Sequence, residues 1–114
     1  MELRGEDYVI TCVESRSAVE FVGTLRLRDS ADYKQLNQML EQALPGAAGT
    51  LILDFRNLQF LNSAGINVIS RFVITARTAA TAQLRVLGHN EISGQQKSLG
   101  NLQKLWAKVS IEIR

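Results

Sequence analysis

The 114-residue sequence is poor in the residues that usually announce a chemistry: it has one cysteine, Cys12, and one histidine, His89. A single thiol rules out an intrachain disulfide. Cys12 lies in the apolar run YVITCV, where it reads as a small buried hydrophobe rather than a reactive thiol. No stretch approaches the roughly 20 apolar residues that a membrane span requires. The N-terminal MELRGEDYV also lacks the apolar centre of a signal peptide, so a cytoplasmic protein without a membrane partner is expected. Thirteen Lys and Arg nearly balance eleven Asp and Glu, leaving a formal charge of +2. They form no concentrated positive face, so nucleic acid is not an expected partner. No internal repeat, low-complexity tract or linker divides the chain. Residues 1–114 therefore read as one domain, long enough to bury a core without staples.

The residues that are present alternate between two periods. Residues 8–13, YVITCV, are β-branched and aromatic and predict a strand. In 18–28, Val19, Phe21, Gly23, Leu25 and Leu27 alternate with Glu20, Thr24, Arg26 and Arg28, as in a strand with one wetter face near a sheet edge. That edge would be available for pairing with a second copy of the chain. Leu36, Met39, Leu40, Ala43 and Leu44 then fall three or four apart, marking a helix capped by Asp29 or Ser30 and ended at Pro45-Gly46. Gly46 and Gly49 lack the spacing of a dinucleotide fingerprint, and no cofactor is expected. TLILDF, 50–55, is almost continuously apolar and reads as a central strand covered on both faces. A second helix is expected over 63–80 from Ala64, Val68, Ile69, Phe72, Val73, Ala76 and Ala80. QLRVLGH, 83–89, predicts a strand, and SGQQKSLGNLQKLWAK a weaker helix with Leu99, Leu102, Leu105 and Trp106 in one stripe. Gly94 and Gly100 each lower its helical preference by roughly 1 kcal/mol. VSIEI, 109–113, closes as a last strand. The order β-β-α-β-α-β-α-β predicts an α/β domain with a mainly parallel sheet of about five strands and helices packed on it.

The junction FLNSAGINVI, 60–69, carries the functional question. Ser63 follows an apolar segment and begins a helix, where backbone amides point outward unpaired. Three readings fit. Asn62 or Ser63 is a plain helix cap worth about 1 kcal/mol. Alternatively, Ser63 is a nucleophile, with Asp54 and His89 nominally completing a triad. Against this, Leu61 replaces the first glycine of the G-x-S-x-G elbow, and so short a chain leaves little room for a substrate pocket. Third, Ser63 accepts a phosphate, which would sit at the positive end of a helix dipole. Gly65 would then allow the phosphate or a partner's backbone to approach closely.

LILDFRNLQFLNSAGINVISRF resembles the core motif of STAS domains, the sulphate transporter and anti-sigma-factor antagonist family. Leu51 to Asp54 match the central strand, Phe60 and Leu61 the apolar pair, and Ser63, Gly65 and Ile66 the helix start. FVGTLRLRDSADYKQL resembles the family's second strand running into its first helix, so the likeness covers nearly the whole chain. It implies a single STAS-like domain that acts as a partner-switching regulator in the manner of an anti-sigma-factor antagonist. Such a protein binds a serine kinase or anti-sigma factor of the histidine-kinase-like ATPase type. Phosphorylation of the motif serine, here Ser63, releases it, and a metal-dependent serine phosphatase restores binding. The regulator is then a substrate rather than an enzyme and holds no metal. The resemblance places partner contacts around Ser63, at Asn62, Ala64, Gly65 and Asn67, with Arg26, Arg28, Asp29 and Ser30 beside them. Asn62 stands where the family usually has Asp, and Ala64 where it has a second hydroxyl. The alternative implied by these departures is a STAS scaffold or ligand-sensing module that does not switch.

Overall fold

The computed structural model describes residues 2–45, 47, 49–80, 82–92 and 94–114, and of Gln96 only the backbone. The expected helix end at Gly46 and the start of the third helix at Ser93 lie outside the described residues. The strands are β1 (Glu2–Arg4), β2 (Tyr8–Val13), β3 (Ala18–Leu25), β4 (Thr50–Leu61), β5 (Gln83–Gly88) and β6 (Val109–Ile113). The helices are α1 (Ser30–Ala43), α2 (Ser63–Ala79) and α3 (Gln95–Gly100), and a 3-10 turn over Asn101–Lys104 prolongs α3. They form one six-stranded sheet in the order β1-β2-β3-β4-β5-β6. β1 to β3 form an antiparallel meander, and β3 to β6 run parallel. The fold is the α/β, STAS-like architecture expected, with one strand more than the five predicted. The additional strand, β1, is three residues long and too short to show a period.

Three expectations about the sheet are corrected. The strand that begins at Ala18 is not an edge: it lies between β2 and β4 and offers no free ladder to a second copy. Its alternation has another cause. Val19, Phe21 and Leu25 face the core, while among the described residues no helix packs on the opposite face of the sheet. β4 is accordingly not covered on both faces. Leu51, Leu53 and Phe55 enter the core, and Ile52 is only half-buried. Asp54 points outward and is shielded by the arm of Arg56, which donates to it from Nη2 at 2.7 Å. Finally, β4 does not stop at Phe55 but continues to Leu61, with register shifts against β3 after Glu20 and after Gly23.

The core joins the inner faces of the strands to Leu36, Met39 and Leu40 of α1, to Val68, Ile69, Phe72, Val73 and Ala76 of α2, and to Leu99 and Leu102. Phe21 and Phe55 stack at its centre, with ring centroids 4.5 Å apart. Trp106 is half-buried against this core, with Leu105. Cys12 is partly buried against it as well. Among the described residues no helix is long and apolar enough to cross a membrane.

Candidate functional site

The first two crossover helices, α1 and α2, begin in the same way, each at the carboxyl end of a parallel strand. Asp29 caps α1, its Oδ1 accepting from the Asp32 N–H at 3.0 Å. Asn62 caps α2, its Oδ1 accepting from the Gly65 N–H at 2.9 Å. Each cap is followed by an exposed serine and an alanine: Ser30-Ala31 and Ser63-Ala64. The cap of α2 is therefore Asn62, and the hydroxyl of Ser63 is left at the surface. The first turn of α2 contains no acidic residue, whereas that of α1 contains Asp32.

Asn62 also does something an aspartate would not. Its Nδ2 donates to the Leu27 carbonyl at 3.1 Å, across 35 residues of sequence. Its backbone N–H donates to the Leu25 carbonyl at 3.1 Å. One side chain thus caps α2 and ties it to the segment that leads from β3 into α1. A carboxylate would keep the cap and lose the donor.

Gly65 is buried, and a Cβ there would lie 2.5 Å from Leu61 Cδ1. The reading of Gly65 as an opening for a phosphate or a partner's backbone gives way: Leu61 fills that space, and the glycine admits the strand end against the helix. Asn67 is exposed one turn into α2, and Ala64 is half-buried. Arg28 is exposed, and its backbone N–H donates to Asp32 Oδ2 at 3.3 Å. Arg26 and Arg28 line a recess with Glu6, Asp7, Tyr8 and Asp32. Burial raises the Tyr8 phenol above its ordinary pKa, and the charges of Asp32 and then Asp29 add to this. The nine residues singled out in the sequence thus gather at one end of the sheet, eight of them at least partly accessible.

The nominal triad does not assemble. Asp54 takes three hydrogen bonds from Arg56: backbone N–H and Nε to Oδ1, each at 3.0 Å, and Nη2 to Oδ2 at 2.7 Å. His89 Nδ1 accepts from the Glu91 N–H at 3.0 Å. Neither side chain bonds to Ser63. Burial works to raise the Asp54 pKa, but the Arg56 hydrogen bonds and charge outweigh it and hold the carboxyl below its ordinary value. The motif aspartate is a structural group: it takes up the Arg56 N–H where β4 shifts register.

Sequence reasoning missed Gln95. β4 and β5 pair only from Thr50 to Asp54, so beyond that point β4 loses its neighbour on one side. The buried Gln95 side chain replaces it. Nε2 donates to the carbonyls of Phe55 (2.6 Å) and Leu58 (2.9 Å), and Oε1 accepts from the His89 N–H at 2.8 Å. A signal was present: Gln95 stands four and seven residues before Leu99 and Leu102, on their apolar stripe. A polar residue on a buried face must find partners.

No family model matches the sequence, and no curated protein does so. Among solved structures the fold is similar to SiaC of Pseudomonas aeruginosa. SiaC in complex with the diguanylate cyclase SiaD, which it activates, matches at TM-score 0.72 and 15% identity, over 100% of this chain and 99% of that one. Apo-SiaC matches at TM-score 0.72 and 13% identity, over 100% and 97% of the two chains. At such identities the likeness is one of fold, and it extends over the whole of this chain and nearly all of the other.

Proposed function

We propose that this protein is a partner-switching regulator whose binding surface is the end of the sheet around Ser63, and that phosphorylation of Ser63 is the switch. In its unmodified form it binds a serine kinase or anti-sigma factor of the histidine-kinase-like ATPase type. The kinase esterifies the Ser63 Oγ with the γ-phosphoryl group of ATP, and a metal-dependent serine phosphatase removes it. In this cycle the protein is a substrate, not an enzyme.

One observation carries the reading: Ser63 is exposed at the first position of a 17-residue helix whose cap is a different residue. Among the described residues its oxygen makes no hydrogen bond, and a phosphate there would meet the positive end of the helix. The comparison with Ser30 sharpens the choice. Asp29 and Asp32 flank Ser30, and a group carrying about −2 is repelled by such neighbours, while α2 has no acid in its first turn. The fold likeness to SiaC, a protein that binds and activates an enzyme, supports a regulator that works by docking.

A second reading is favoured by Asn62. Its amide locks the junction without bringing the carboxylate usual in the resembling family, as a module that binds its partner constitutively would allow. That partner would be an enzyme, as it is for SiaC. Incubation with ATP and candidate kinases, followed by peptide mass spectrometry, separates the two. Phosphate on Ser63 and loss of binding in Ser63→Asp, with binding kept in Ser63→Ala, support the switch. No phosphate, with both variants binding as the parent does, leaves the constitutive module.

A further inference from the structure

Arg26 and Phe60 make a contact that the acceptor reading does not use. The Arg26 guanidinium lies 5.0 Å from the centroid of the Phe60 ring, and Phe60 as a residue is 45% exposed. Phe60 also borders a cleft of about 160 Å3 with Leu61, Ile92 and Ser98. Among the described residues no carboxylate forms an ion pair with Arg26, although Glu6, Asp7 and Asp32 share its recess with Arg28. The residues on either side of Arg26, Leu25 and Leu27, both accept hydrogen bonds from Asn62. That places the backbone of Arg26 opposite Asn62, the residue before Ser63, at about one strand spacing of 4.8 Å.

We propose that Arg26 reads the charge at position 63: it stacks on Phe60 while Ser63 carries a hydroxyl, and moves to a phosphate placed there, uncovering the ring. The proposal rests on Ser63 being the acceptor and adds how the modification reshapes the surface. A guanidinium makes paired, charge-assisted hydrogen bonds to a phosphate, which are stronger than a cation–π contact at an exposed site. The docking surface then changes twice: it gains negative charge, and Phe60 loses its cationic cover.

The test requires no kinase. Phosphoserine is installed at position 63 of the full chain during translation, in the parent and in Arg26→Ala and Arg28→Ala. The 31P resonance is titrated with pH and the Phe60 ring is followed by 1H–13C NMR. A free phosphoserine loses its second proton near pH 6. With Arg26 in place the phosphate should bind that proton about threefold more weakly than in Arg26→Ala, while Arg28→Ala changes it less. The Phe60 ring signals of the phosphorylated parent should move towards those of unmodified Arg26→Ala. Ring signals indifferent to the phosphate, or a phosphate that titrates alike with and without Arg26, would overturn the proposal. Because the phosphate is built in, failure to find a kinase bears on the acceptor reading alone, and a still ring bears on Arg26 alone.

Discussion

Asn62 and Gly23 are the residues whose identity the structure constrains most tightly near the candidate site. Changing Asn62 to Asp would restore the residue usual in the resembling family, yet it should destabilise this protein. The cap to Gly65 survives, but the donor to the Leu27 carbonyl is lost and a carboxylate faces that oxygen. Urea unfolding of Asn62→Asp should show a loss of about 1–3 kcal/mol, the cost of a buried acceptor left unpaired. Gly23 has φ +98°, and a Cβ there would lie 2.2 Å from the Asp7 carbonyl oxygen. That backbone oxygen also accepts the Thr24 N–H at 2.8 Å, so it has little freedom to retreat. Gly23→Ala should therefore lower stability by at least about 2 kcal/mol, from strain and clash together. At this scale the sequence was partly legible. The capping role of Asn62 could be read because a cap acts over three residues. Its bond to Leu27 could not, because the two residues meet only once β3 and β4 have paired. Gly23 looked like one more inward position in an alternating strand.

Among the elements, β4 determines where Ser63 stands. Its first half is a conventional central strand. Its second half is held by β3 on one side and by the Gln95 amide on the other. Gln95→Ala should remove two donors from buried carbonyls and one acceptor from the His89 N–H, costing about 2–4 kcal/mol. Hydrogen exchange should localise the damage to residues 55–66 rather than to α1. Asp54 gives the same strand a pH dependence. Its folded-state pKa lies below the ordinary value, so it stabilises the fold fully above the unfolded-state pKa, about 3.9. That contribution fades as pH falls through the lower folded value. The stability difference between the parent and Asp54→Asn, measured by urea unfolding, should be constant from pH 7 to about pH 5 and shrink at lower pH. The existence of α1 and α2 was legible because their apolar periods are long and regular, and that of the parallel strands because each carries a short apolar or alternating run. The length of β4 was not: RNLQFL carries two register shifts, which break the alternation that would have marked it as strand. The third helix was legible as weak. Gly100 falls where α3 gives way to the 3-10 turn, and the Leu105 carbonyl, just beyond that turn, accepts from Arg77 Nη1 at 2.9 Å.

For the molecule as a whole, the layering is one-sided. The helices cover one face of the sheet, and the other displays ion pairs: Arg16 with Glu20, Arg56 with Asp54, and Glu112 with both Arg85 and Arg114. Apart from the Asp54 pair, these lie towards solvent, where an ion pair adds little to stability. Arg85→Ala should therefore shift the urea midpoint only slightly, and raising the salt concentration should shrink even that effect. The alternation of polar and apolar residues in the sequence registered this bare face but was read as nearness to an edge. Only the pairing partners, which no single strand reveals, distinguish the two. The rim at the carboxyl ends of β3 and β4 has a different character, because the Asn62 amide fastens one crossover turn to the other. Through that one residue the starts of the two helices share an anchor, so Asn62→Asp should quicken amide exchange at both origins together, α1 as well as α2.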